Sequence, residues 1–158
     1  MDELEALALA LEVEKAEMKF YLDLARRTRD EKARKMFLFL AREEADHWEQ
    51  FEERFLERVA EECRLPAVSE ELLGKLLVNA GNVESEVDAV KIGMEQEKLT
   101  WEFYERAAEE AKHEPIRRLF EELARIEKGH YELLKAQYDA VMKTGIWMDY
   151  QDFSLEVD

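Results

Sequence analysis

Apolar residues recur at intervals of three and four along most of this chain, the pattern of helices that bury one face. From about Glu3 to Arg27 the stripe runs Leu4, Leu7, Leu11, Met18, Tyr21, Leu24, Ala25. The polar run Thr28-Arg29-Asp30 interrupts it, and Asp30 carries the short acceptor side chain that suits an N-cap. A second stripe, Ala33, Phe37, Leu40, Ala41, Trp48, Phe51 and Phe55, predicts a helix that ends at Leu65-Pro66, because a residue before proline is pushed out of helical geometry. Between Pro66 and Glu84 lie Gly74, Gly81 and two asparagines around Leu72, Leu73, Leu76 and Leu77, which predicts a crossover with one short helix. Ser85 with Asp88 three residues on is a variant of the capping box and starts a third long helix, to about Lys112. Pro115 fits the first turn of a fourth, and Gly145 ends it. No strand pattern occurs. The expectation is an all-α four-helix bundle in one domain over 1–158. It comprises a hairpin at about 3–64, a crossover at 65–84, a second hairpin at about 85–144 and a short aromatic tail at 145–158.

The two hairpins are copies of one another. Shifted by 83 positions, Glu14–Phe51 lies over Glu97–Leu134 without a gap, and 14 of the 38 pairs are identical. Packing residues such as Phe20/Phe103, Phe37/Phe120 and Leu40/Leu123 are among them. So are Glu14/Glu97, Tyr21/Tyr104, Glu44/Glu127 and His47/His130. Glu44-x-x-His47 and Glu127-x-x-His130 each put an acid and an imidazole on one helix face, one turn apart. All four glutamates fall within apolar stripes, so they point inward. Glu14 and Glu44 are each 15 residues from Arg29 in the first turn; Glu97 and Glu127 are each 15 from Lys112 in the second. At 1.5 Å rise per residue, every glutamate lies roughly 22 Å from its turn. Hairpins packed about a two-fold axis would therefore bring four carboxylates and two imidazoles to one point.

Composition narrows the function. Thirty-nine Asp plus Glu against 23 Lys plus Arg leave a charge of −16, which argues against nucleic acid and anionic membranes as partners. The one cysteine, Cys63, excludes an internal disulfide and any CxxC site, and is read as a small apolar filler near a helix end. The opening Asp2-Glu3 is unlike a secretory leader, and no apolar run is long enough for a span, so a soluble cytoplasmic protein is expected.

Four inward carboxylates repel one another, and each costs several kcal/mol to bury unpaired. No Lys or Arg lies on their stripes. Two divalent cations supply +4 against −4, and mixed oxygen and nitrogen donors suit iron or manganese, with zinc also possible. One glutamate from each of two helices plus Glu-x-x-His from each of the other two is the di-metal carboxylate arrangement.

On these residues, Glu14 with Phe20-Tyr21, Glu44-x-x-His47, Glu97 with Phe103-Tyr104, and Glu127-x-x-His130, the chain resembles the ferritin-like superfamily, and within it the rubrerythrin-type diiron proteins without their rubredoxin domain. The resemblance implies two iron ions bridged by Glu44 and Glu127, with Glu14 and Glu97 as terminal ligands and His47 and His130 on one ion each. It implies that Tyr21 and Tyr104 hydrogen-bond the bridging carboxylates. It further implies reduction of hydrogen peroxide or O₂, and a homodimer or higher homo-oligomer. A single cysteine cannot build the rubredoxin iron site, so electrons would come from an external donor such as a rubredoxin or a reductase. Rubrerythrins carry an additional carboxylate three residues after the third-helix ligand. Here that position is Thr100, and Glu17, its counterpart in the first hairpin, could compensate from the other side.

Other acids and aromatics have plainer readings. Glu12 and Glu95 are expected on the solvated face, His113 in solvent, and Met18, Trp48, Trp101 and Phe51 in the core. Two alternatives remain open: ferritin-like iron binding, oxidation or storage without turnover, and a bundle that metal merely holds together.

Overall fold

Side-chain caps set where the helices begin. In the computed structural model, which describes residues 1–81 and 83–153, Asp2 accepts from the Glu5 N–H and opens α1 (Glu3–Arg27). Asp30 accepts from Lys32 and Ala33 and opens α2 (Glu31–Glu62); Ser69 opens the short α3 (Glu70–Leu76). Ser85 accepts from Asp88 and opens α4 (Glu86–Glu110), and Pro115 lies in the first turn of α5 (Glu114–Thr144). Each cap satisfies an amide that the first turn leaves without a partner. A 3₁₀ turn (Tyr150–Asp152) follows, and there is no strand among the described residues. The fold is all-helical, a ferritin-like bundle. Among the described residues no helix is long and apolar enough to cross a membrane.

One helix end differs from expectation. α2 stops before Leu65-Pro66, because Cys63 takes a left-handed conformation (φ 51°) and closes the helix as glycine usually does. That geometry turns the thiol outward: Cys63 is exposed and fills no part of the core. Gly145 ends α5 as expected, with φ 75°. The tail beyond Phe153 and crossover residue 82 lie outside the described residues.

The hairpins interlock at their ends. The Glu3 carboxylate accepts from the backbone N–H groups of Lys112 and His113, at the turn between α4 and α5. The Glu86 carboxylate accepts from Arg29 N–H, at the turn between α1 and α2. The start of α1 thus meets the end of α4 and the reverse, so these two helices run antiparallel. The crossover must then travel the length of the bundle. Two buried glutamines fasten the irregular segments. Gln96 accepts from Val78 N–H and donates to the Leu76 carbonyl, each at 2.9 Å; Gln137 does the same for the tail at Met148 (2.9 and 2.8 Å). A primary amide carries both N–H donors and a carbonyl acceptor, so it can pair with a backbone N–H and C=O as a neighbouring peptide would.

The core forms in two parts. One contains Leu7, Val13, Phe51, Phe103, Phe120 and Leu123; the other contains Leu24, Met36, Phe37, Leu40, Val90, Leu133 and Trp147. The expected core residue Phe51 is fully buried, whereas Met18, Trp48 and Trp101 are half-buried at the edges of their stripes. Between the two parts lies a layer of polar side chains.

Candidate metal centre

That layer is built from four helices. α1 supplies Glu14 and Glu17, α2 Glu44 and His47, α4 Glu97 and Thr100, and α5 Glu127 and His130; all are at most 5% exposed. The six residues expected to converge do converge. The His47 Nδ1 lies 2.7 Å from Glu127 Oε1, and 3.6 Å from an oxygen of both Glu14 and Glu44. The His130 Nδ1 lies 2.9 Å from Glu44 Oε1, 3.4 Å from Glu127 Oε2 and 3.7 Å from Glu97 Oε1. The two imidazole rings are nearly parallel, 5.7 Å apart.

Two sets of four donors result. Glu14, Glu44, His47 and Glu127 each present one ligand atom, all within 4.8 Å of one another; so do Glu44, Glu97, Glu127 and His130. Glu44 and Glu127 belong to both. Such oxygen-rich sets with one nitrogen suit iron, manganese or zinc.

Burial makes these groups poor anions by themselves. Desolvation, followed by the neighbouring carboxylates, raises Glu14 and pushes Glu17, Glu44 and Glu97 well above the ordinary carboxylate range. Glu127 is the exception: burial raises it too, but hydrogen bonds to Glu97, His130 and His47 hold it well below the ordinary value. The imidazoles go up against their own desolvation, His47 to about 10 through Glu14 and Glu127, and His130 well above its ordinary value through Glu127, Glu43 and Glu97. Oxygens of Glu14, Glu17, Glu44, Glu97 and Glu127, with both nitrogens of His130, are buried without a hydrogen-bond partner. Orphaned acceptors clustered this closely are costly, and cations shared between them remove that cost. The donor set therefore fits a pair of metal ions.

The tyrosines are placed differently from expectation. Tyr21 donates to Glu97 Oε1 at 2.7 Å and Tyr104 to Glu14 Oε1 at 2.5 Å, so they hold the lone glutamates and not Glu44 or Glu127. Each lies two turns beyond its own helix's glutamate, and its hydroxyl reaches across to the antiparallel partner helix. Gly93 makes room for one of them: a β-carbon there would lie 3.5 Å from the Tyr21 hydroxyl and 3.1 Å from Leu134 Cδ1. Burial, then Glu97 for Tyr21 and Glu14 for Tyr104, raises both phenols well above their usual value, so both stay donors.

Glu17 sits at the edge of the set. Its Oε1 accepts from Thr100 Oγ1 and, at 3.4 Å, from Gln96; its Oε2 is buried without a partner. Glu95 and His113 are exposed, His113 beside Glu3 at 2.9 Å, while Glu12, expected on the solvated face, is half-buried. Gln96 and Glu43 border the site without having been singled out in the sequence. Gln96 could have been found from its place in the stripe of Gly93 and Glu97; nothing local marked Glu43.

The family model for rubrerythrin matches residues 5–138. The chain belongs to the rubrerythrin family. A similar solved structure is a hypothetical protein from Pyrococcus furiosus, 23% identical, covering 90% of this chain and 92% of its own, with a TM-score of 0.75. At that identity the likeness supports the fold alone. No curated protein matches the chain. Membership of the rubrerythrin family implies a metal, typically iron, and the buried Glu and His groups are of the kind that bind it.

Proposed function

We propose that this rubrerythrin-family protein is a diiron redox protein that reduces hydrogen peroxide or O₂ with electrons from an external donor. The observation that carries the reading is the pair of four-donor sets sharing Glu44 and Glu127. In this reading Glu44 and Glu127 are shared between two iron ions: Glu14, Glu44, His47 and Glu127 would hold one, and Glu44, Glu97, Glu127 and His130 the other. When bound, the pair supplies two electrons to peroxide, which with two protons becomes two waters, and a donor such as a rubredoxin or reductase returns them.

The chain's own residues prepare that chemistry. The Tyr21 and Tyr104 hydroxyls fix one oxygen of Glu97 and Glu14, leaving the other free for an ion. Glu17 keeps one oxygen on Thr100 and holds the other unpartnered beside the set, as a carboxylate that can swing in when charge in the site rises. The two apolar clusters on either side exclude water from the layer. Cys63 alone cannot carry an iron site, so these residues offer no second redox centre of the rubredoxin type.

The test loads the protein with two ferrous ions per chain under anaerobic conditions and adds hydrogen peroxide. One equivalent is expected to be consumed as ferric absorption rises, and dithionite or a reduced donor protein should restore the ferrous state. Metal uptake with no oxidation above an iron-only control overturns the redox reading. Oxidation that ends in a large iron-filled assembly favours storage.

A further inference from the structure

The six converging residues are duplicated, but their surroundings are not. Position 43 is Glu in the first hairpin, and the residue 83 positions on is Ile126; Phe39 likewise corresponds to Glu122. Both differences fall around His130. Its Nδ1 faces the glutamates, while its Nε2 faces outward, buried and without a hydrogen-bond partner. The carboxylate facing that nitrogen is Glu43, with Oε1 3.8 Å away. Phe39 meets the His130 ring edge-on, with ring centres 6.4 Å apart. Tyr150 from the tail stacks on Phe39 at 4.5 Å. Aromatic side chains thus back this imidazole, and a buried N–H needs an acceptor nearby.

We propose that Glu43 is a positioning residue for one of the two metal sites: its carboxylate accepts the outer N–H of His130, fixes that ring as an Nδ1 ligand, and makes the Glu44/Glu97/Glu127/His130 site the tighter of the two. This inference rests on the metal reading above. An imidazole whose far N–H donates to a carboxylate is a more basic and better oriented ligand. A closure of less than 1 Å from the observed 3.8 Å brings the pair to ordinary hydrogen-bonding distance. The corresponding position in the second hairpin is Ile126, which has no acceptor to offer His47. The two ions would therefore bind unequally, although the six ligand types are the same in both hairpins.

The probe is Co²⁺ titrated into the metal-free full-length protein, followed by its visible absorption and by calorimetry. The wild type should bind two ions in two resolved steps. Glu43→Ile, which copies the second hairpin, should weaken the tighter step by about 10- to 100-fold and leave the other unchanged, so that the two steps merge. Glu43→Gln, which keeps the shape and a weaker acceptor, should weaken the same step by less, and it serves if the isoleucine variant folds poorly. Adding Ile126→Glu to Glu43→Ile should restore a tight step, now lost when His47, and not His130, is replaced by alanine. In the zinc-loaded wild type, ¹⁵N-histidine spectra should show a slowly exchanging Nε2–H on His130 that Glu43→Ile abolishes. If Glu43→Ile leaves both steps unchanged, or lowers both together, the proposal is wrong while the metal reading stands. If the wild type takes up no Co²⁺, Fe²⁺ or Zn²⁺, the metal reading itself falls and this inference with it.

Discussion

Tyr21 and Tyr104 show how one hydroxyl can matter in a layer of this kind. Each donates to a glutamate that otherwise has only the cluster to turn to. Removing the donor leaves a buried oxygen unpaired, whereas the ring's packing survives in phenylalanine. Tyr21→Phe should therefore lower the stability of the metal-free protein by about 1–3 kcal/mol, read from urea unfolding midpoints. Tyr104→Phe should cost a similar amount. An unchanged midpoint for both would show that the hydroxyls do not hold the glutamates. Exposed Cys63 makes the opposite point: residue type alone suggested burial, but the backbone at a helix end decides where a side chain points.

Helix ends and irregular segments are joined by single side chains. Glu3 and Glu86 lie 83 residues apart, and each caps the turn of the other hairpin. Replacing either by alanine should cost about 1 kcal/mol, by analogy with other capping side chains. They sit at opposite ends of the bundle, so the double variant should show the sum within about 0.5 kcal/mol, measured by thermal or urea unfolding. A much larger loss in the double variant would mean that the ends are coupled through the helices. Gln137 holds the tail through both polar groups of Met148. Gln137→Leu should release the tail, raising amide exchange at Met148 and changing the emission of buried Trp147, while the four long helices keep their protection. Unaltered exchange at Met148 would show that the aromatic contacts suffice.

For the whole protein, the polar layer trades folding stability for a site. In the metal-free state burial favours the protonated forms of Glu14, Glu44 and Glu97, while the carboxylates around His47 raise it to about 10 and favour its imidazolium. Ligands must be deprotonated to bind, so loading expels protons and affinity must rise with pH. Zn²⁺ uptake in weak buffer at pH 7 should acidify the solution, and the apparent affinity should climb by at least about one log unit per pH unit up to about pH 9. A pH-independent affinity would contradict this. Loading should also stabilise the fold: at free ion a hundredfold above Kd, linkage adds about 2.7 kcal/mol for one site, visible as a rise in melting temperature that chelator reverses.

How much was legible without coordinates follows from the range of each interaction. Helix starts at Asp2, Asp30, Ser69 and Ser85 depend on residues two or three apart, and three of those four were placed within or beside the expected boundaries. The six converging residues were also legible, because a duplicated motif in register carries its own depth along the bundle. The cross-hairpin partners were not. That Tyr21 reaches Glu97 and that Glu43 faces His130 depend on antiparallel helices separated by up to 87 residues in sequence, and that Gln96 clasps the crossover depends on how that irregular segment lies against α4. Periodicity reports which face of a helix is buried, and it carries no information on which side chain of another helix lies opposite; packing alone chooses that partner.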